Sequence, residues 1–173
     1  YDLLIMENLT QRDSSKPMNS ATAVLKIICC ILISIADLES QVITNYNTGN
    51  SGLPFNTVRC IELQNNGIWV GTDAGLARFI NNQWEIFDSN NSPLYSDDIR
   101  ALKAEGDSTI WIGTVNGGLF SFDGANWENF NVSNSGLLDN LIRDINIDLL
   151  SNIWISTTEG LFMYDRTNWQ HWN

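Results

Sequence analysis

The chain has 173 residues, which is enough for about one domain. Apolar residues make up 43% of the chain and charged residues 17%, so it can fill a hydrophobic core and lacks the composition of a disordered protein. Twenty acidic against nine basic residues give a formal net charge of -11 at pH 7. This charge repels phosphate backbones and anionic membrane surfaces, and it argues against nucleic-acid binding.

The first forty residues have the features of an export signal. After Met18 come Lys26, an apolar run over residues 27–36 and then short polar residues, which is the order found in a secretory signal peptide. The run is too short for a stable membrane span, which needs about 20 apolar residues. A buried helix or a membrane anchor is the alternative. We therefore predict a leader over residues 1–40 and an exported protein, either periplasmic or extracellular.

Tryptophan and glycine recur with a fixed period after the leader. The first series of tryptophans lies in the segments IWVGT, IWIGT and IWIST, at Trp69, Trp111 and Trp154. A second series follows 15 or 16 residues later, at Trp84, Trp127 and Trp169. A Gly-Leu pair between the two series and a Val-Arg or Ile-Arg pair before the first keep the same spacing. A repeat of about 42 residues follows, with units at 52–92, 93–135 and 136–173.

Each unit contains four short apolar runs separated by Gly, Asn, Asp and Ser, a pattern typical of strands joined by turns. In the middle unit these runs are 98–104, 109–114, 117–123 and 126–131. Side chains alternate between the faces of a strand, so the apolar residues Ile110, Trp111 and Ile112 require both faces of the sheet to be buried. A repeated four-stranded sheet that is apolar on both faces predicts the blades of a β-propeller.

Residues 42–47 match the outer strand of a further blade whose first three strands are absent. The interval from an aromatic residue to a leucine recurs there, at Tyr46–Leu53, Phe87–Leu94 and Phe130–Leu137. We therefore predict an all-β fold over residues 41–173, a propeller fragment of three four-stranded blades plus one orphan N-terminal outer strand. Closed propellers use four to eight blades. The remaining blades are expected beyond Asn173 in the full-length chain or in another chain.

The repeated pattern resembles the two-component regulator propeller repeat of bacterial proteins. The resemblance rests on Val/Ile-Arg, a polar turn, Ile-Trp-x-Gly-Thr, Gly-Leu and an aromatic residue, and it covers about residues 42–173. Ser156 replaces the motif glycine in the last unit. The resemblance implies an extracytoplasmic sensing region of a hybrid sensor kinase or a secreted relative. Because the sequence shows no phosphoacceptor histidine context and no nucleotide loop, only the propeller part is implied.

No group of residues in the sequence stands out as catalytic. His171 is the only histidine and takes the place of Ile86 and Asn129 in the repeat, so we expect it at the surface. No nucleophile or carboxylate that departs from the repeat accompanies it. Cys60, the only cysteine after the leader, is a poor metal site as a lone thiol. We expect no catalytic residue, metal or cofactor; the alternative is a propeller lyase or glycoside hydrolase with its active residues in the missing blades.

Candidate ligand-binding residues lie in corresponding parts of the three units. The turns between second and third strands carry polar residues at Asp73, Asn116 and Glu159. The starts of the first strands carry Arg59, Arg100 and Arg143. In propellers both sets lie on one face, where they could bind a hydroxyl-rich ligand such as a glycan fragment, or a polar protein loop.

A structural interpretation of the same residues is the alternative. The arginines would lie between blades and pair with acids or carbonyls, and Asp73 and Asn116 would shape their own turns. We favour this interpretation for the arginines. For the protein as a whole, the sequence favours a non-catalytic binding or sensing propeller.

Overall fold

The computed structural model describes residues 44–65 and 67–173. In these ranges all the regular structure is β, and twelve strands form three four-stranded antiparallel sheets. No helix in the described ranges is long and apolar enough to cross a membrane. The predicted leader over residues 1–40 lies outside the described residues.

The three sheets, which we call blades 1 to 3, follow one another along the chain. Blade 1 consists of β1 (Val58–Gln64), β2 (Gly67–Thr72), β3 (Gly75–Ile80) and β4 (Gln83–Phe87). Blade 2 consists of β5 (Ile99–Glu105), β6 (Thr109–Thr114), β7 (Leu119–Phe122) and β8 (Trp127–Phe130). Blade 3 consists of β9 (Asp144–Ile147), β10 (Ile153–Thr157), β11 (Gly160–Tyr164) and β12 (Trp169–Trp172). The predicted three four-stranded blades are confirmed.

Strands pair in sequence order within each blade, and the first strands of the three blades are neighbours in space. The first strand of each blade is therefore innermost, closest to the propeller axis. The turns between second and third strands and the loops that connect the blades lie at one end of the strands, which we call the front face. The turns between first and second and between third and fourth strands lie at the other end, the back face.

The blades bury their apolar faces against one another. Ile110 and Ile112 of β6 belong to the core between blades 1 and 2, whereas Trp111 of the same strand belongs to the core between blades 2 and 3. All three side chains are at most 2% exposed. The prediction that this strand is buried on both faces is confirmed. Trp69 has the corresponding place at the interface of blades 1 and 2 and is also 2% exposed.

The indole N–H of each first-series tryptophan is bonded to the residue at or just after the end of the innermost strand. Trp69 donates to Gln64 Oε1 at 3.0 Å and Trp111 to Glu105 Oε2 at 2.9 Å. In blade 3, Trp154 donates to Asp148 Oδ2 at 2.9 Å. This bond, followed by bonds from Asn152 and the turn backbone, lowers the pKa of Asp148 to about 2. A buried indole needs such an acceptor, because an unpaired N–H in a core costs free energy.

The loops that lead into the blades share one hydrogen-bond pattern. The first residue of the loop is Asn47, Asp88 or Asn131, and its side-chain oxygen accepts a bond of 2.8 Å from the backbone N–H two residues later. Its carbonyl accepts bonds from the N–H groups three and four residues later. Asn and Asp favour such turns because their side chains mimic a backbone acceptor. Each loop then places a leucine in the core, at Leu53, Leu94 and Leu137.

The predicted orphan strand over residues 42–47 does not form a strand in its described part, residues 44–47. Tyr46 nevertheless packs against blade 1, with its ring centroid 6.2 Å from that of Phe79 and 5.9 Å from that of Trp84. An outer strand needs the third strand of its own blade as a hydrogen-bonding partner. No such strand lies beside these residues within the described ranges, so the segment keeps the packing of an outer strand without its pairing.

We expect Trp111→Ala to lower the free energy of unfolding by about 3 to 5 kcal/mol, the range for removing a large buried aromatic side chain. The change leaves a cavity between blades 2 and 3 and removes the indole donor from Glu105. Trp172→Ala is the matched control, because Trp172 is 45% exposed and should cost much less. Urea unfolding followed by circular dichroism gives both values. Equal effects of the two substitutions would contradict the packing of the blades.

Candidate functional site

The front face contains all six residues that the sequence suggested for ligand binding. Backbone bonds fix the geometry of this face, since Gly75 donates from the turn of blade 1 to the Asp97 carbonyl at 2.7 Å. Gly118 donates in the same way from blade 2 to the Asn140 carbonyl at 3.0 Å. Gly75 and Gly118 have φ angles of 129° and 82°, which favour glycine. The turn of one blade is thus bonded to the loop that enters the next blade.

Two of the candidate residues form a bidentate ion pair in blade 1. Arg59 Nε lies 2.5 Å from Asp73 Oδ1, and Arg59 Nη2 donates to Asp73 Oδ2 at 2.9 Å. The hydrogen bond from Arg59 holds the pKa of Asp73 below its ordinary value, and the same bond raises the pKa of Arg59. Arg59 lies at a β-bulge between β1 and β2, where an extra residue changes the direction of the side chain.

Arg100 pairs with Asp98, which precedes it in the chain. It does not pair with Asn116, which lies in the blade 2 turn that corresponds to the turn of Asp73 in blade 1. Arg100 Nη2 donates to Asp98 Oδ2 at 2.7 Å. The other two atoms, Arg100 Nε and Asp98 Oδ1, are also 2.7 Å apart but are not aligned as a hydrogen bond. Arg100 also lies at a bulge, between β5 and β6. Because Arg100 contributes to the lowered pKa of Asp73, the charges of blades 1 and 2 interact.

Blade 3 and the adjacent turn of blade 2 differ from this arrangement. The side chains of Asn116, Arg143 and Glu159 are exposed and make no hydrogen bond or ion pair with the described residues. Arg143 precedes β9, and its backbone N–H donates to the Ser156 carbonyl at 2.8 Å. Arg59 and Arg100 therefore pair with acids, as the structural interpretation expects. Arg143 has no acid partner within the described ranges.

His171 is anchored rather than free at the surface. Its Nε2 lies 2.7 Å from the carbonyl oxygen of Glu159, and its ring stacks on Phe162 with centroids 4.4 Å apart. The side chain is half-buried. The repeat alignment led us to expect this histidine at the surface, but it does not reveal that the ring covers Phe162 and contacts the turn of its own blade.

Cys60 is a half-buried free thiol against the first strand pair of blade 1. Burial raises its pKa to about 12, so it carries no thiolate near neutral pH. Within the described residues, no three His, Cys, Asp or Glu side chains are grouped so as to hold a metal ion.

The structure also contains a cavity that the sequence analysis missed. It has a volume of about 570 Å³ and lies between blades 2 and 3 at the back face, with Ser121, Glu128 and Arg166 among its lining residues. The sequence signal was present, since Ser121 takes the repeat position of Arg78 and Met163. Its meaning depends on which side chains are neighbours across the strands, which repeat spacing alone does not give.

Comparison with known proteins finds a family resemblance in the first repeat. A family model for the two-component regulator propeller matches residues 52–74, which cover β1, β2 and the turn after them. The first unit is therefore similar to a two-component regulator propeller repeat over these residues. The second and third units carry the same tryptophan, Gly-Leu and arginine positions. No curated protein matches the chain at a significant level.

Solved structures with the same fold include extracellular domains from B. thetaiotaomicron. The chain is 28% identical to the domain assigned to a hybrid two component system, with a TM-score of 0.68 over 79% of this chain and 20% of that one. It is also 28% identical to the domain assigned to a one component system, with a TM-score of 0.60 over 78% of this chain and 18% of that one. The chain thus spans about a fifth of the length of these two structures, and the β-propeller fold is confirmed.

An ancestral GH74 enzyme shares the fold at lower identity. The identity is 17% and the TM-score 0.55, over 70% of this chain and 19% of that one. At this level the likeness concerns the fold alone and says nothing about activity.

We expect the carboxyl group of Asp73 to titrate at a lower pH than an ordinary aspartate. Because its folded pKa is depressed, the stabilisation from its pair with Arg59 is present above the unfolded pKa of about 3.8 and is lost as the pH falls through the lower folded value. NMR titration of the side-chain carboxyl carbons measures this pKa directly. Arg59→Ala should move the Asp73 pKa up towards its ordinary value. An unchanged pKa in that variant would contradict the pairing.

Proposed function

We propose that the chain forms part of an extracytoplasmic sensing propeller that binds a ligand and has no catalytic role of its own. The observation that carries this proposal is the 28% identity to extracellular domains of two bacterial signalling systems, over more than three quarters of this chain. Export, as the leader over residues 1–40 suggests, is part of the proposal. The proposal also includes a sensing role for the longer protein that would contain these blades.

The proposed ligand contacts the front face at blades 2 and 3. Arg59 and Arg100 are already neutralised by their own acids, so they have little capacity left for a ligand. Asn116, Arg143 and Glu159 are exposed and have no partner for their side chains among the described residues. Together they offer an amide, a guanidinium and a carboxylate, which can both donate hydrogen bonds to hydroxyl groups and accept bonds from them.

This combination suits a hydroxyl-rich ligand, such as a glycan fragment, or a polar loop of a partner protein. An apolar ligand would gain little here, because the exposed groups are polar and would lose their hydration without replacement bonds. The proposal therefore assigns the recognition of the ligand to blades 2 and 3. It leaves the arginine-acid pairs of Arg59 and Arg100 as supports that hold the front face in shape.

A binding screen of glycan fragments against the full-length protein tests the proposal. We expect at least one fragment to bind, and we expect the double change Asn116→Ala and Glu159→Ala to weaken it about tenfold or more, since each lost hydrogen bond is worth about 1 kcal/mol. Asp107→Ala is the matched control, because it removes an exposed carboxylate from a back-face turn. Isothermal titration calorimetry gives the affinities, and circular dichroism checks the fold.

Two results would contradict the front-face site. The first is a screen in which no fragment binds. The second is a ligand whose affinity is the same in the double variant and in the parent while the fold is intact. A loss of affinity in Asp107→Ala as large as that in the double variant would place the ligand on the back face instead.

A further inference from the structure

The cavity between blades 2 and 3 has one wall that is already charge-balanced. Arg166 forms an ion pair with Glu105 and donates to the Ser151 carbonyl at 3.1 Å. Its Cζ lies 5.0 Å from the ring centroid of Trp111, a cation-π distance. Arg166 also adopts a positive φ of 77°, at the turn position that Gly124 occupies in blade 2. A positive φ is unfavourable for a non-glycine residue. The ion pair, the hydrogen bond and the cation-π contact hold Arg166 in this conformation.

The opposite wall carries polar groups without a cation. Ser121 lines the cavity, is only 8% exposed, and its hydroxyl has no hydrogen-bond partner among the described residues. Glu128 on β8 lies directly opposite Ser121 on β7, and its carboxylate makes no ion pair with the described residues. The carboxylate of Asp123 accepts bonds from the Asn126 side chain and from the turn backbone, which lower its pKa and keep it ionised.

Blade 1 shows which group fits the corresponding space. There the position of Ser121 is taken by Arg78, which lies between Trp69 and Glu85 on neighbouring strands. Arg78 Cζ is 5.1 Å from the ring centroid of Trp69, and Arg78 Nη1 is 3.7 Å from Glu85 Oε2. Glu128 is the blade 2 counterpart of Glu85. Blade 2 therefore keeps the carboxylate but has a small hydroxyl side chain where blade 1 has a guanidinium.

We propose that this cavity binds an organic cation, whose guanidinium or ammonium group takes the place beside Glu128 that Arg78 takes beside Glu85. The Ser121 hydroxyl would accept a hydrogen bond from the cation, and the carboxylates of Asp123 and Glu128 would balance its charge. A volume of about 570 Å³ is larger than one such group, so the cavity can also take the apolar part of a ligand. The site is on the back face and is independent of the proposed function.

Two features favour a cation over an anion or a neutral ligand at this site. Arg166 is already paired with Glu105, so the other two carboxylates that line the cavity, those of Asp123 and Glu128, have no counter-charge among the described residues. The whole chain, with its net charge of -11, attracts cations and repels anions. The source of the cation is either a free amine or guanidine or the arginine side chain of a partner peptide, since both present the same group.

Titration of the full chain with butylguanidinium at low ionic strength tests the proposal, with neutral butylurea as the isosteric control probe. We expect butylguanidinium to bind and butylurea to bind much more weakly. Glu128→Gln should reduce the affinity about fivefold, because an exposed ion pair contributes modestly. Glu85→Gln is the matched control and should leave the affinity unchanged, since that carboxylate already faces Arg78. Ser121→Arg should abolish binding, because the new guanidinium would occupy the space of the cation, as Arg78 does in blade 1.

Thermal melting of each variant distinguishes loss of the site from loss of the fold. Glu128 is exposed, so its variant should fold even if Ser121→Arg does not. A short peptide with a central arginine, titrated in parallel, identifies the source: tighter binding of the peptide indicates a partner protein, and tighter binding of butylguanidinium indicates a small molecule. The proposal is overturned if butylguanidinium does not bind, if butylurea binds equally well, or if Glu128→Gln leaves the affinity unchanged.

Discussion

The indole rings of Trp69 and Trp111 lie between neighbouring sheets, and the rest of the structure depends on that placement. Each blade is apolar on both faces, so it is stable only when other blades or loops cover it. The ring supplies much of the buried area, and its N–H must find an acceptor inside the core. The innermost strand provides that acceptor at its end, with Gln64 in blade 1 and Glu105 in blade 2. One contact thus fixes both the stacking of the blades and the position of the back-face turns.

Glu105 connects the core with the cavity at the back face. One of its carboxylate oxygens accepts the bond from Trp111, and the other pairs with Arg166 of the next blade. Arg166 in turn covers the Trp111 ring. The wall of the cavity is therefore part of the interface between blades 2 and 3, which gives the site a rigid frame. The front face is built differently, since its exposed polar groups stand on turns and loops that backbone hydrogen bonds hold together.

Much of the fold could be predicted from the sequence, because the physical requirements of a blade recur in every unit. The tryptophans, the Gly-Leu pairs and the alternating apolar residues keep their spacing, so the strands of blade 2 could be located to within a few residues. The strand expected at residues 42–47 does not form in its described part, residues 44–47, for a reason that the sequence pattern does not show. A strand exists only with a hydrogen-bonding partner, and Tyr46 meets the side chains of blade 1 without a neighbouring backbone.

The candidate site was harder to predict, because equivalent positions have different neighbours. Arg59 finds its acid in the turn of its own blade, whereas Arg100 finds it two residues earlier in the chain. In blade 3 the position two residues before Arg143 is taken by Leu141, so Arg143 has no acid there. Repeat alignment gives positions, but the pairing of charges depends on distances between side chains. The same holds for Ser121, whose significance follows from the arginine in blade 1.

The exchange rates of the seven tryptophan indole protons, measured by NMR, test the central role of the buried indoles most directly. Trp69 and Trp111 are buried and bonded, so their indole protons should exchange slowest, and Trp154 should follow because it is bonded but half-buried. The other four indole N–H groups have no hydrogen bond within the described residues and should exchange fast. Exchange of Trp69 and Trp111 as fast as that of the other four would contradict the account.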